Sequence, residues 1–177
     1  PGHGDDAQWH RDRYLGAALA AEGFAVLILE PRAGGGDEVE SRTSRTLLAA
    51  GRSLAGVKVY ELLLLRRVLR EHPRVRPEAV ALMGHSGGSV LGWLAVRIEP
   101  GWAAFATDLQ GSYLSAMPDG RWLDDVSPAL HALRHSINDT TTLPIPLYQD
   151  AYEYPAGVRP LADFLRKAPY QSPNRAE

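Results

Sequence analysis

Near the middle of the chain, Gly84-His85-Ser86-Gly87-Gly88 carries the pattern G-x-S-x-G. A serine on a very tight strand-to-helix turn is pushed into an unusual backbone conformation, with its hydroxyl standing clear of its neighbours. Such a turn requires small residues two before and two after the serine, because strand and helix approach closely there. A helix that starts just past Ser86 also directs unpaired backbone N–H groups toward a developing oxyanion. The chemistry expected of this arrangement is acyl transfer through a covalent intermediate on Ser86. A glycine-rich turn with no chemical role carries the same five letters, so the flanking elements must decide.

Those elements fit. Ala79-Val80-Ala81-Leu82-Met83 is an apolar run of strand length that leads straight into the motif, and Val90, Leu91, Leu94, Ala95 and Ile98 recur after it at helical spacing. The same alternation continues along the chain. Residues 12–22 carry a helical apolar face of Tyr14, Leu15, Ala18 and Leu19, stopped by Gly23. Residues 24–29 form a continuous apolar run, as expected of a strand covered on both faces. A turn-rich loop follows over 31–37. Over residues 53–71, two sets recur at helical spacing: Val57, Tyr60, Leu64, Val68, and Leu54, Leu65, Leu69. His72-Pro73 ends that helix. Residues 102–107 read as a third strand and 109–142 as irregular. Residues 145–149 read as a short fourth strand weakened by Pro146. A last helix is expected over 158–167, with a frayed tail after Pro169. Strands alternating with helices predict an α/β fold with a mostly parallel sheet, flanked by helices on both faces.

Composition narrows the function classes. The chain has 177 residues, 45% of them hydrophobic and 23% charged, which suits one soluble-type domain with a real core. A formal charge of -2 argues against nucleic acid as a partner. Arg66, Arg67 and Arg70 are instead expected on the wet face of a helix. Without cysteine there is no disulfide, thiolate metal site or thiol nucleophile. The run Leu62-Leu63-Leu64-Leu65 is far too short to span a membrane, so no membrane partner is expected. The first residue is Pro1, not Met, and the compartment stays open. Ala33-Gly34-Gly35-Gly36-Asp37 has no Lys-Ser/Thr ending and no G-x-G-x-x-G, which argues against nucleotide binding.

Four features together resemble a known family. They are Gly2-His3-Gly4-Asp5-Asp6, then Glu30-Pro31-Arg32-Ala33-Gly34-Gly35-Gly36 after a strand, then Gly51-Arg52-Ser53-Leu54 opening a long helix, and finally the serine motif. In this order the chain is similar to the dienelactone-hydrolase and acetyl-xylan-esterase side of the α/β-hydrolase superfamily, over residues 1–110 and more weakly over 143–165. The resemblance implies a single, incomplete α/β-hydrolase domain over 1–177, with 109–142, including Trp122, as candidate lid or insert. It implies an oxyanion hole made by the backbone N–H groups of Asp5 and Gly87, with His3 tying down its loop.

In that superfamily the triad acid follows a late strand and the histidine base follows the acid. Glu153, in the loop Tyr152-Glu153-Tyr154-Pro155, is the preferred acid, Asp150 the next and Asp108 a third. Each is alternatively a surface or capping carboxylate. No histidine follows His135. His10 and His72 are expected on the surface, and His85 is expected to point away from Ser86. His131 and His135 precede the candidate acids. The base is therefore expected beyond Glu177, and the family's first strands before Pro1. By that reading the chain is a fragment, inactive by itself, with residues 24–29 and 79–83 facing an empty slot. The resemblance implies a serine hydrolase that cleaves small-molecule carboxylic esters and uses no metal or organic cofactor. A peptidase, thioesterase or perhydrolase would use the same machinery. A catalytically inactive homologue that binds a ligand or partner is the rival from outside the enzymes.

Overall fold

Alternating side-chain direction along three short parallel strands divides the core in two. The computed structural model describes residues 15–30, 32–33, 37–85, 87–107, 143, 145–148 and 158–171. Strands β1 (Leu82–Gly84), β2 (Phe105–Thr107) and β3 (Leu147–Tyr148) form one parallel sheet in the order β1-β2-β3. Leu82 pairs with Phe105 and Phe105 with Leu147, while Met83 pairs with Ala106 and Ala106 with Tyr148. Register partners share a face, so these two rows point to opposite sides of the sheet. Leu82, Phe105 and Leu147 pack with Val59 of helix α3 (Leu54–Glu71) and with Val90, Leu91 and Val96 of helix α4 (Gly87–Ile98). Met83, Ala106 and Tyr148 pack with Leu15 and Leu19 of helix α1 (residues 15–21) and Leu161 of helix α5 (Val158–Gln171). The expected α/β architecture, a parallel sheet with helices on both faces, is present. Phe105 lies fully buried at its centre, a burial worth about 2–3 kcal/mol.

Several local signals act as anticipated. Gly23 adopts φ +91°, and Phe24 N–H reaches back to the Leu19 carbonyl (3.2 Å) to close the end of α1. Ser53 caps α3 by accepting from Gly56 N–H at 3.0 Å, an arrangement worth about 1 kcal/mol. His72 ends the same helix. On the face that α1 and α5 share, Arg166 of α5 donates to the Glu22 carbonyl at 2.8 Å and pairs with its carboxylate, tying α5 to the end of α1.

Other expectations are corrected. Residues 24–29 form no strand and pair with no described strand; Val26, Leu27 and Ile28 are exposed. Apolar periodicity specifies a face to bury, but a strand exists only where a neighbour completes its ladder. The strands are also shorter than their apolar runs. Residues Pro77–Ala79 form a turn of 3-10 helix instead of the start of β1. β3 shrinks to two residues beside Pro146, whose carbonyl still accepts from Phe105 N–H at 3.0 Å but which has no N–H to give. The last helix runs on through Pro169 to Gln171, past its expected end at Lys167; the rest of the tail lies outside the described residues. Helix α2 (Asp37–Ala49) was not anticipated at all. It lies on α3 through an ion pair between Glu40 and Lys58, both buried.

Arg66 is the sharpest correction. It is only 2% exposed, not on the wet face, whereas Arg67 and Arg70 are exposed. Its guanidinium donates to the Gly101 carbonyl, pairs with Glu99 and sits 5.2 Å from the centre of the Trp102 ring. Burial, and secondarily Arg70, lower its pKa from the usual value. A planar fork that serves a carbonyl, a carboxylate and a ring cannot be copied by an ammonium. Arg66→Lys is expected to cost about 1–2 kcal/mol in urea unfolding. An unchanged midpoint would mean that the clamp between α3 and the α4–β2 loop contributes nothing. Among the described residues, no helix is long and apolar enough to cross a membrane.

Candidate functional site

The serine motif sits where β1 gives way to α4. The strand ends at Gly84 and the helix starts at Gly87, so the turn between them is two residues long. Gly88 N–H donates to the His85 carbonyl at 2.8 Å and closes this turn. A Cβ added at Gly84 would strike the Gly88 carbonyl oxygen and lie 2.6 Å from its carbon and 2.8 Å from Ser89 N. Those atoms belong to the backbone and cannot swing aside. One turn further on, a Cβ at Gly92 would lie 2.6 Å from the Phe105 ring. Small residues therefore let α4 press directly onto β1 and β2.

The steric expectation is half met. Two before position 86, nothing but glycine fits. Two after it, Gly88 is exposed, and a Cβ there would meet nothing within 4 Å. Ser89 is a part that sequence reasoning passed over. Its buried hydroxyl donates to the Gly84 carbonyl at 2.7 Å, pinning the end of the strand to the first turn of the helix. A small hydroxyl residue three positions past the motif serine is the only signal the sequence offers for it.

Ser86 itself lies outside the described residues. The N-terminus of α4 is described, and Gly87 is its half-buried first residue. The first N–H groups of any α-helix lack intrahelical acceptors and lie at the positive end of its dipole. Gly87 thus stands at the end of α4 where negative charge is favoured. Asp5, the other expected donor, lies outside the described residues, as do the acid candidates Glu153, Asp150 and Asp108. So do His3, His10, His131 and His135, and the candidate lid 109–142. His72 is exposed, as expected, and its Nδ1 accepts from Arg74 N–H at 3.2 Å in a local turn. His85 is half-buried at the end of β1.

The sheet adds one topological fact. Gly84, Thr107 and Tyr148 lie at the C-terminal ends of neighbouring parallel strands, with Gly84 beside Thr107 and Tyr148 beside Ala106. These are the residues from which the chain leads on to Ser86, Asp108 and Asp150. In open parallel sheets this end, not the opposite one, is where ligands bind. Two surface cavities lie along α3 instead, the larger about 600 Å³ and lined by Tyr60, Arg66, Arg70 and Glu99 among others. Neither touches the strand ends; the smaller is lined by Ser53, whose hydroxyl accepts from Gly56 N–H as the cap of α3. Comparison with known proteins returns no match for this chain: no family model, no curated protein and no solved structure.

Proposed function

We propose that the protein is a serine hydrolase of the α/β-hydrolase type, cleaving carboxylic esters through an acyl-enzyme on Ser86. The observation that supports this reading is the turn from β1 to α4, so tight that backbone atoms of the helix occupy the space of a Cβ at Gly84. A turn of this kind presents the residue at 86 beside the amino end of a helix, where negative charge is favoured. In the proposed reaction the Ser86 oxygen attacks the ester carbonyl while a base takes the hydroxyl proton. The base then delivers that proton to the departing alcohol, and water releases the acid in a second, equivalent step. The N–H groups of Gly87 and Asp5 hold the oxyanion; loss of one such donor typically raises the barrier by about 3 kcal/mol. Glu153, or Asp150 in its place, orients the base. Thioester and peptide substrates fit the same sequence of steps.

The rival reading is a homologue that binds a ligand without catalysis. A fluorophosphonate probe applied to the full-length protein separates the two. The hydrolase reading expects a stoichiometric adduct that maps to Ser86 by peptide mass and disappears in Ser86→Ala. Folded protein that takes up no probe, or labels equally well after that substitution, rejects the hydrolase.

A further inference from the structure

Helix α3 carries apolar residues on two stripes, and the described residues bury only one of them. Leu54, Ala55 and Val59 are buried, the last two in the core that α3 shares with α4 and the sheet. Tyr60, Leu64 and Val68 lie at spacings of four on the outer side and are 60%, 43% and 63% exposed. A row of large apolar side chains in water on one helix face marks a contact surface rather than scattered surface residues. Beside the row runs the 600 Å³ groove, bounded by Leu64, Arg67, Glu71, Pro77 and Glu99.

We infer that this stripe is the interface for a second copy of the same chain, with two α3 helices crossing antiparallel about Leu64. The inference rests on self-complementarity. Around a two-fold axis at Leu64, each residue faces the one equally far away on the other side. Leu64 meets its own copy, Tyr60 faces Val68 and Glu61 faces Arg67, each pair occurring twice. These offsets of three and four fall on one face of a helix. Apolar thus meets apolar along the axis, and acid meets base beside it. A parallel arrangement would instead set Arg67 against Arg67 and Glu71 against Glu71, which repel. Arg67 is free to exchange partners, because its contact with Glu71 is a 3.3 Å pair between side chains that are 78% and 69% exposed. Glu61 accepts from Arg32 at 2.6 Å, and Arg32 is itself well exposed, so Arg67 of the second copy completes a three-charge cluster. A row of i, i+4, i+8 residues packs into the matching groove of its copy at the crossing angle commonest between helices.

The interface is small. Stable interfaces remove about 800 Å² from each partner, more than a single helix stripe supplies, so the dimer is reversible and forms at about 100 μM. Sedimentation equilibrium of the full chain up to about 1 mM tests this. The expected result is a monomer–dimer equilibrium that Leu64→Asp shifts to monomer, with unchanged circular dichroism. Glu61→Lys and Arg67→Glu should each weaken the dimer about tenfold. Mixed in equal amounts, the two single variants should associate with each other as well as the parent does, because both cross-pairs are restored. A parent that stays monomeric, including one whose stripe is covered by another part of its own chain, overturns the proposal. So does a dimer insensitive to Leu64→Asp, or a charge-swapped mixture no tighter than its components.

Discussion

Gly84→Ala is expected to destabilise the protein by about 3 kcal/mol, while Gly88→Ala, four residues away, is expected to stabilise it by up to about 1 kcal/mol. Both glycines belong to the same five-residue motif, and a motif-level view treats them alike. The structure does not. The added methyl at 84 would land on the Gly88 carbonyl and against Ser89 N, all backbone of the first turn of α4. The helix can make room only by backing away from β1. That would stretch the bond from Ser89 Oγ to the Gly84 carbonyl and open the contacts of Leu82 and Phe105 with α4. At 88 the methyl points into open space, and alanine suits a helix better than glycine does. Urea unfolding of both variants measures the difference, and equal midpoints would contradict the close approach. Under the hydrolase proposal, Gly84→Ala should also lose the fluorophosphonate reaction under conditions where it remains folded, since the retreating helix carries Gly87 N–H away from the oxyanion.

What the sequence made legible follows from which forces act locally. The strand before Ser86 and the helix after it could be read because a covered strand is apolar throughout, an amphipathic helix repeats every three to four residues, and here both abut a glycine-bearing turn. The termini at Gly23, Ser53 and His72 were legible for a similar reason: a cap depends on a few adjacent atoms. Partners distant in sequence left weaker traces. Helix α2 contains Ser41, Thr43, Ser44 and Thr46, residues that favour caps and turns over helix interiors. Thr43 and Thr46 turn their hydroxyls back to the carbonyls of Val39 and Arg42. What α2 buries is polar, Glu40 and Ser44, so no apolar periodicity announces it. Helix α3 posed the opposite difficulty. With apolar residues on two stripes, its sequence does not say which one meets the sheet, and an arginine in a basic cluster reads as solvated until Glu99, Gly101 and Trp102 arrive from 33 or more positions away. The run 24–29 shows the same limit: its composition asks for burial, yet only neighbouring strands can provide it. For the site, the turn could be read and the steric demand at Gly84 anticipated. The asymmetry between Gly84 and Gly88, and the clasp made by Ser89, needed coordinates.

The buried pair that holds α2 to α3 leads to the second large effect. Glu40 is 3% exposed and Lys58 5%, and the carboxylate accepts directly from the ammonium. Ions of opposite charge out of water attract strongly, but most of that attraction repays the loss of hydration, so the pair adds little net stability over apolar residues of the same size. Removal of one partner is a different matter, because the other charge then stays buried without compensation. Glu40→Leu is therefore expected to cost about 3–5 kcal/mol, enough to lower the melting temperature by roughly 10 °C. Lys58→Met alone should cost a similar amount. Glu40→Leu combined with Lys58→Met should recover most of the loss, since neither charge remains and both volumes are filled. The double-mutant cycle, read by urea unfolding with the slope of each transition held as a check on cooperativity, distinguishes this from a superficial pair. Were the single substitutions to cost less than about 1 kcal/mol, as exposed pairs do, α2 would be resting on α3 in water rather than sharing a buried charge with it.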